Sequence, residues 1–179
     1  MINWKEGEKL KIPKGIKATY ANGVLEVEGK LGKVTRNLAN NYLRVLMGKG
    51  TIDIEKSKEN RFTNAIVGTW ASEIKNMFKG VTDGFSYTMK VDYTHFPMRV
   101  SVRGQELVVE NFLGERSPRI AKILGATKVS IKGDRITLTG NDKREIGETC
   151  SNIERATKIR GFDLRIFQDG IFPIEEEVE

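Results

Sequence analysis

The stretch NGVLEVEGKLGKVTRNL (22–38) decides the fold, because a similar stretch, GQELVVENFLGERSPRI (104–120), recurs in the second half of the chain. In each copy, apolar residues alternate with polar ones, and a glycine-containing loop with basic residues follows. The aligned pairs are Leu25 with Leu107, Val27 with Val109, and Gly32 with Gly114. Alternation of this kind predicts a half-buried β-strand, and its recurrence predicts two similar structural units.

Further elements repeat after each copy. LRVLMGKGTIDIE (43–55) aligns with TKVSIKGDRITLT (127–139), and both patterns predict two strands joined at a glycine turn. Apolar residues then recur at helical spacing, between residues 66 and 78 in the first copy and between 146 and 157 in the second. A strand around residues 85–91 is predicted to close the first copy.

These elements predict an α+β fold of two tandem similar units, each mostly antiparallel β-sheet with one principal α-helix. The first repeat unit is expected at residues 12–92 and the second at 93–172. Residues 1–11 are predicted to form an N-terminal arm. Residues 173–179 are predicted to form an acidic tail, because a terminal run of like charges is usually frayed and solvated.

The run RGFDLRIFQDGIF (160–172) predicts a hairpin that closes the second unit. Alternation over residues 164–167 favours a strand in which Leu164 and Ile166 share one face. The Asp-Gly pair at 169–170 supplies the residue types that a tight turn requires.

The other face of this hairpin would bring cations and an aromatic ring to one edge. The predicted members of this edge are Lys158, Arg160, Arg165 and Phe167, and Gln168 follows directly after them. Guanidinium groups bind phosphate with two parallel hydrogen bonds, and an aromatic ring can stack on an unpaired base. The edge therefore suits RNA, although an ordinary amphipathic hairpin explains the pattern equally well.

The segment LGERSPRIAK (113–122) is a second candidate for contact with RNA. Pro118 has no backbone N–H and biases Ser117 toward an extended conformation, so an exposed loop is expected. The cations of this loop are Arg116, Arg119 and Lys122. A merely solvated basic loop is the alternative.

Catalytic residue types are scarce in the sequence. His95 and Cys150 are the single histidine and the single cysteine, which cannot form a zinc site of the usual composition. Asp142, Glu145 and Glu148 could line a pocket, but a helix N-terminus explains them, with Asp142 and Glu145 at capping-box spacing. No metal and no cofactor are therefore expected.

Charge points toward a polyanionic partner. The chain of 179 residues carries a net charge of +6 and has a pI of about 9.4, which favours nucleic acid. No apolar stretch approaches the roughly 20 residues that a membrane-spanning helix requires. The charged N-terminus MINWKEGEKLKIP does not resemble a signal peptide, so a cytoplasmic protein without a membrane partner is expected.

The run at 160–172 also resembles the C-terminal signature of the ribosomal large-subunit protein L-six family, in the branch shared by archaea and eukaryotes. It carries Arg-x-Phe-x-Asp-Gly followed by an aliphatic and an aromatic residue. HFPMRVSV (95–102), NFLGERSPRIAKILGA (111–126) and the opening segment at 12–38 are similar to the same branch. The segment at 148–159 departs from it, since the family usually carries a Gln near its start.

This resemblance implies a structural constituent of the large ribosomal subunit, not an enzyme. It implies binding of large-subunit ribosomal RNA near the sarcin-ricin loop, beside other ribosomal proteins and close to docked translation factors in the cytoplasm. It also implies that the second unit, 93–172, carries the main RNA-binding surface. The candidate RNA-binding residues are Arg116, Ser117, Arg119, Lys122, Lys158, Arg160, Arg165, Phe167 and Gln168. The alternatives are a non-ribosomal RNA-binding protein built on the same duplicated domain, and a small-molecule enzyme that uses the carboxylates near Asp142.

Overall fold

The computed structural model describes residues 4–174 and has two units, which divide after Gly84. Each unit contains two antiparallel sheets and one long helix. This architecture confirms the predicted α+β fold of two tandem similar units.

The first unit has two three-stranded sheets. Its elements are β1 (Lys5–Lys11), β2 (Lys17–Ala21), β3 (Val24–Gly29), β4 (Gly32–Asn37), β5 (Leu43–Met47), β6 (Thr51–Lys56) and α1 (Arg61–Thr82). The sheet orders are β1-β6-β5 and β2-β3-β4. The alternating residues Leu25 and Val27 of β3 are fully buried in one core with Ile74 of α1.

Helix α1 begins at a capping box. The Asn60 side chain accepts a hydrogen bond from the Thr63 amide at 2.7 Å, and the Thr63 hydroxyl accepts one from the Asn60 amide at 3.3 Å. These bonds satisfy donors that a helix start leaves without partners. The helix ends before Gly84, whose φ of +77° suits a residue without a Cβ.

The second unit has a three-stranded and a four-stranded sheet. Its elements are β7 (Phe85–Asp92), β8 (Arg99–Arg103), β9 (Glu106–Glu110), a 3₁₀ turn (Phe112–Gly114), β10 (Arg119–Lys122), β11 (Lys128–Lys132), β12 (Arg135–Gly140), α2 (Lys143–Ala156) and β13 (Gly170–Ile174). The sheet orders are β10-β9-β8 and β11-β12-β7-β13. Leu107 and Val109 of β9 are fully buried, as Leu25 and Val27 are in β3.

The repeat begins one strand earlier than the sequence indicated. β7 pairs with β12 just as β1 pairs with β6, so β7 is the first strand of the second unit and not the last strand of the first. Residues 5–11, predicted as part of an arm, form β1 within the sheet of the first unit. Pro173 and Ile174 of the predicted tail lie in β13, and residues 175–179 lie outside the described part.

The predicted hairpin at 160–172 is wrong. Residues 164–166 form a turn in which the Asp163 carbonyl accepts a hydrogen bond from the Phe167 amide at 2.9 Å, and the Asp163 carboxylate accepts one from the Arg165 amide at 2.9 Å. Leu164 is 65% exposed and Ile166 is 61% exposed. Local bonds from an Asp side chain compete with strand pairing, and β13 closes the unit instead.

Candidate RNA-binding surface

Asp169 anchors the C-terminal segment instead of forming a tight turn. Its buried carboxylate accepts hydrogen bonds from the Thr94 amide at 2.6 Å and the His95 amide at 3.4 Å, and it lies 3.3 Å from Nδ1 of His95. Burial by itself would raise the pKa of Asp169, but the bonds from Thr94 and His95 outweigh it and lower the pKa below its ordinary value. This carboxylate fixes the path of the chain into β13.

Three aromatic rings stack beside this anchor. The Phe167 ring centroid lies 4.5 Å from the His95 ring and 4.8 Å from the Phe162 ring. Phe167 is half-buried between them, whereas Phe162 is 52% exposed. Phe162 therefore presents the exposed ring of this stack, a role that the sequence analysis assigned to Phe167.

Arg119 joins the two predicted RNA-binding segments. Its Nη1 donates to the carbonyl oxygens of Ala156, the last residue of α2, at 2.9 Å and of Lys158, just after it, at 3.0 Å. Its Nε and Nη2 donate to the Glu115 carboxylate at 2.8 and 2.6 Å, and its guanidinium lies 4.0 Å from the Phe112 ring centroid. The hydrogen bond from Arg119 lowers the pKa of Glu115. Four hydrogen bonds thus hold Arg119 in place.

The other predicted cations are exposed. Within residues 4–174, no ion pair is formed by Arg116, Lys122, Lys158, Arg160 or Arg165. The remaining predicted residues, Ser117 and Gln168, are also exposed. The Arg119 bonds hold residues 156–158 against β10, so the surface of the second unit at this point carries Lys158 next to the loop that precedes β10.

A cleft of about 1100 Å³ opens on this surface. Three of the predicted residues line it, namely Lys158, Phe167 and Gln168, together with Arg155 at the end of α2. Three carboxylates also line it: Asp92 pairs with Lys90 at 2.6 Å, Asp169 holds His95, and Glu154 on α2 is exposed. The cleft thus combines two cations and an aromatic wall with three carboxylates.

Sequence reasoning missed two contributors to this surface. Phe162 lies inside the run that was interpreted as a hairpin but before its predicted strand, and its place in the ring stack depends on the Asp163 turn. His95 is 74 residues away from Asp169 in the sequence. Its contact with Phe167 follows from tertiary structure, and no local pattern pointed to it.

Of the carboxylates in the alternative enzyme hypothesis, Asp142 caps helix α2, whereas Glu145 binds the loop before β11 and does not complete a capping box. The Asp142 side chain accepts a hydrogen bond from the Arg144 amide at 2.8 Å, and Glu145 accepts one from the Ala126 amide at 3.2 Å. Cys150 is buried in the core, and burial raises the pKa of its thiol. Among residues 4–174, no three His, Cys, Asp or Glu side chains cluster as metal ligands would. Nor does either helix of that range have the length and apolar character needed to cross a membrane.

Comparisons with known proteins agree with this architecture. The family model described as Ribosomal protein L6 matches residues 12–84 and again residues 96–170. Large ribosomal subunit protein uL6 of Picrophilus torridus is 56% identical over 178 residues, covering 99% of each chain. The uL6 of Thermoplasma acidophilum is 52% identical, covering 98% of this chain and 99% of its own. The uL6 of Methanobrevibacter smithii is 42% identical, covering 95% and 96%. The two matched units and the full-length similarity to these archaeal proteins mean that this chain belongs to the ribosomal protein L6 family.

Proposed function

We propose that this chain is a structural constituent of the large ribosomal subunit, that it binds ribosomal RNA through its second unit, and that it catalyses no reaction. The observation that carries the proposal is its similarity, over nearly its full length, to proteins named as large-subunit components. The exposed cations of the second unit support it, because RNA is a polyanion that cationic side chains position through its phosphates.

Two segments form the proposed contact surface. One is the loop that carries Arg116 and Ser117, with Lys122 at the end of β10. The other runs from Lys158 to Gln168 and includes Arg160, Arg165 and the aromatic stack with Phe167. Arg119 positions both segments, since its guanidinium binds carbonyls of one and a carboxylate of the other.

The proposed mode of binding is recognition of RNA shape. The cations contact phosphates, and the exposed ring of Phe162 or the edge of Phe167 packs against a base or ribose. The proposed contact lies near the sarcin-ricin loop, with translation factors docking close by, and the family resemblance supports this location. The proposed partners are large-subunit rRNA and neighbouring large-subunit proteins. The proposed location is the ribosome in the cytoplasm.

Sedimentation of cell extract tests the assignment to the subunit. We expect the chain to travel with the large subunit in near-stoichiometric amount and to remain there through moderate salt washes, because several spaced contacts act together. Recovery only in the soluble fraction, at low salt and with intact subunits, would mean that the chain is not a ribosomal constituent.

Chemical footprinting tests the location on the RNA. Naked large-subunit rRNA is probed with and without the purified chain, and protection is expected in and beside the sarcin-ricin loop. A variant without three of the proposed cationic contacts, Arg116→Gln with Lys158→Gln and Arg160→Gln, should lose this protection while remaining folded. Protection confined to distant regions would contradict the proposed location.

A further inference from the structure

The first unit carries lysines that the proposed surface of the second unit does not use. Two turns of this unit each place a lysine next to a glycine: Pro13-Lys14-Gly15 follows β1, and Gly48-Lys49-Gly50 joins β5 to β6. Lys14, Lys49 and the neighbouring Lys11 are all exposed. Within residues 4–174, none of the three makes an ion pair or a side-chain hydrogen bond.

Backbone pairing brings these lysines to one end of the sheet. Lys11 lies opposite Thr51 in the β1–β6 register, and the Ile12 amide donates to the Gly50 carbonyl at 2.9 Å. Gly48 in turn donates to the Thr51 carbonyl at 2.8 Å. The segment that leads from Lys11 into its turn therefore runs directly beside the turn that carries Lys49.

The charge of this end has no local compensation. The segments KIPKGIK (11–17) and MGKGT (47–51) contain no acidic residue. Asp53, which follows on β6, pairs with Lys9 at 3.3 Å. Lys17 is left out of the cluster because its register partner is Glu28.

The equivalent turn of the second unit differs. There the sequence is Lys132-Gly133-Asp134, so an acidic residue stands at the position that corresponds to Gly50 in the first unit. The cationic end is therefore a property of the first unit and does not follow from the shared fold.

We propose that Lys11, Lys14 and Lys49 form a second RNA-contacting surface, which binds the phosphate backbone of structured RNA without reading its sequence. Gly15 and Gly50 have φ values of +87° and +81°, and open space surrounds the position that a Cβ would occupy at each. The turns thus present little bulk besides the lysines, which lets a phosphate backbone approach closely. A protein partner fits less well, because lysine is depleted in protein–protein interfaces.

Salt dependence of RNA binding tests this surface. The full chain is titrated with purified large-subunit rRNA over a range of salt concentrations. The test variant combines Lys11→Gln, Lys14→Gln and Lys49→Gln. The control combines Lys5→Gln, Lys33→Gln and Lys75→Gln, which removes the same charge from lysines that pair with Glu59, Glu26 and Glu8.

We expect the slope of log K against log salt to become shallower by about 2 to 2.7 in the test variant, since each lost phosphate contact removes about 0.7 to 0.9. The control should change it much less. Circular dichroism and thermal unfolding check that both variants fold.

Equal slopes for the test and control variants would overturn the inference. If those slopes are equal but the test variant enters large subunits less efficiently, the lysines contact an acidic protein, and the assignment to RNA is wrong. Failure of the wild-type chain to prefer this rRNA over unrelated RNA would instead count against the proposed function, so the two failures are distinguishable.

Discussion

Nη1 of Arg119 donates to the carbonyl oxygen of Lys158 at 3.0 Å, across 39 residues of sequence. This bond ties the strand that follows the 113–118 loop to the chain leaving α2. It gives Arg119 a positioning role, whereas Arg116, three residues earlier, is exposed and has no ion-pair partner among residues 4–174.

Arg119→Gln should therefore destabilise the protein. Loss of the guanidinium leaves the half-buried carbonyl of Ala156 and the exposed carbonyl of Lys158 without this donor, and an intramolecular hydrogen bond contributes about 0.5–1.5 kcal/mol. Arg119→Lys should not restore stability, because an ammonium cannot reproduce the planar fork. Urea unfolding measures the effect, with Arg116→Gln as the control that should stay within about 0.5 kcal/mol. Equal stability of the two variants would contradict the positioning role.

Truncation of the exposed apolar residues in the 163–167 turn should have little effect on folding. Leu164→Ala and Ile166→Ala are expected to change the free energy of unfolding by no more than about 0.5 kcal/mol, because both side chains are largely exposed. Ile171→Ala in β13 is the matched comparison and should cost about 2–5 kcal/mol, since Ile171 is fully buried. A large loss of unfolding free energy for Ile166→Ala would mean that this side chain is buried, as the predicted hairpin requires.

The repeat could be predicted from the sequence because its apolar alternation is strong. Leu25, Val27, Leu107 and Val109 are all fully buried, as the alignment implied. The starting residue of the repeat unit was predicted wrongly because β1, with the sequence KEGEKLK, buries only Leu10. A strand with so few apolar residues gives no alternation signal, so the unit was started one strand late.

The candidate RNA-binding surface was only partly predictable, because charge is a local property and the path of the chain is not. Exposure of Lys158, Arg160 and Arg165 agrees with their charge, which is a local property. The path of the chain around them depends on Asp163, whose hydrogen bonds close a turn where four alternating residues suggested a strand. A run of four residues is too short to decide between the two.

A close approach between β3 and α1 predicts opposite effects for two glycine substitutions. A Cβ at Gly29 would lie 2.8 Å from both the Cβ and the carbonyl oxygen of Val81, so Gly29→Ala should cost about 1–3 kcal/mol through overpacking. Gly68 lies on the exposed face of α1 with open space around it. Gly68→Ala should stabilise the protein by about 0.5–1 kcal/mol through helix propensity. Thermal unfolding of both variants checks the two signs, and a neutral Gly29→Ala would refute the close contact.

Asp169 predicts a pH dependence of stability. Its folded pKa lies below the value of about 3.9 expected for an unfolded chain. Its contribution is therefore present above the unfolded pKa and is lost as the pH falls through the folded pKa. Asp169→Asn should cost about 1–2 kcal/mol at neutral pH, and the difference from wild type should shrink below about pH 4. Urea unfolding between pH 2 and 7 measures this difference, and a constant gap across that range would show that the carboxylate charge is not responsible.

Neutralisation of the exposed cations of the second unit should weaken RNA binding without unfolding the protein. Lys158→Gln, Arg160→Gln and Arg165→Gln should each make the slope of log K against log salt shallower by about 0.7 to 0.9, because each removes one phosphate contact. Arg103→Gln is the matched control, since Arg103 is exposed in the same unit but pairs with Glu110 at 2.9 Å. Binding to large-subunit rRNA is measured from low to moderate salt, and denaturant unfolding is measured on the same samples.

If Arg165→Gln unfolds the chain while the folded fraction keeps the wild-type slope, Arg165 stabilises the fold and does not contact RNA. If all three variants match Arg103→Gln in slope, the cations around the cleft are solvated, and the RNA contact of this unit lies elsewhere.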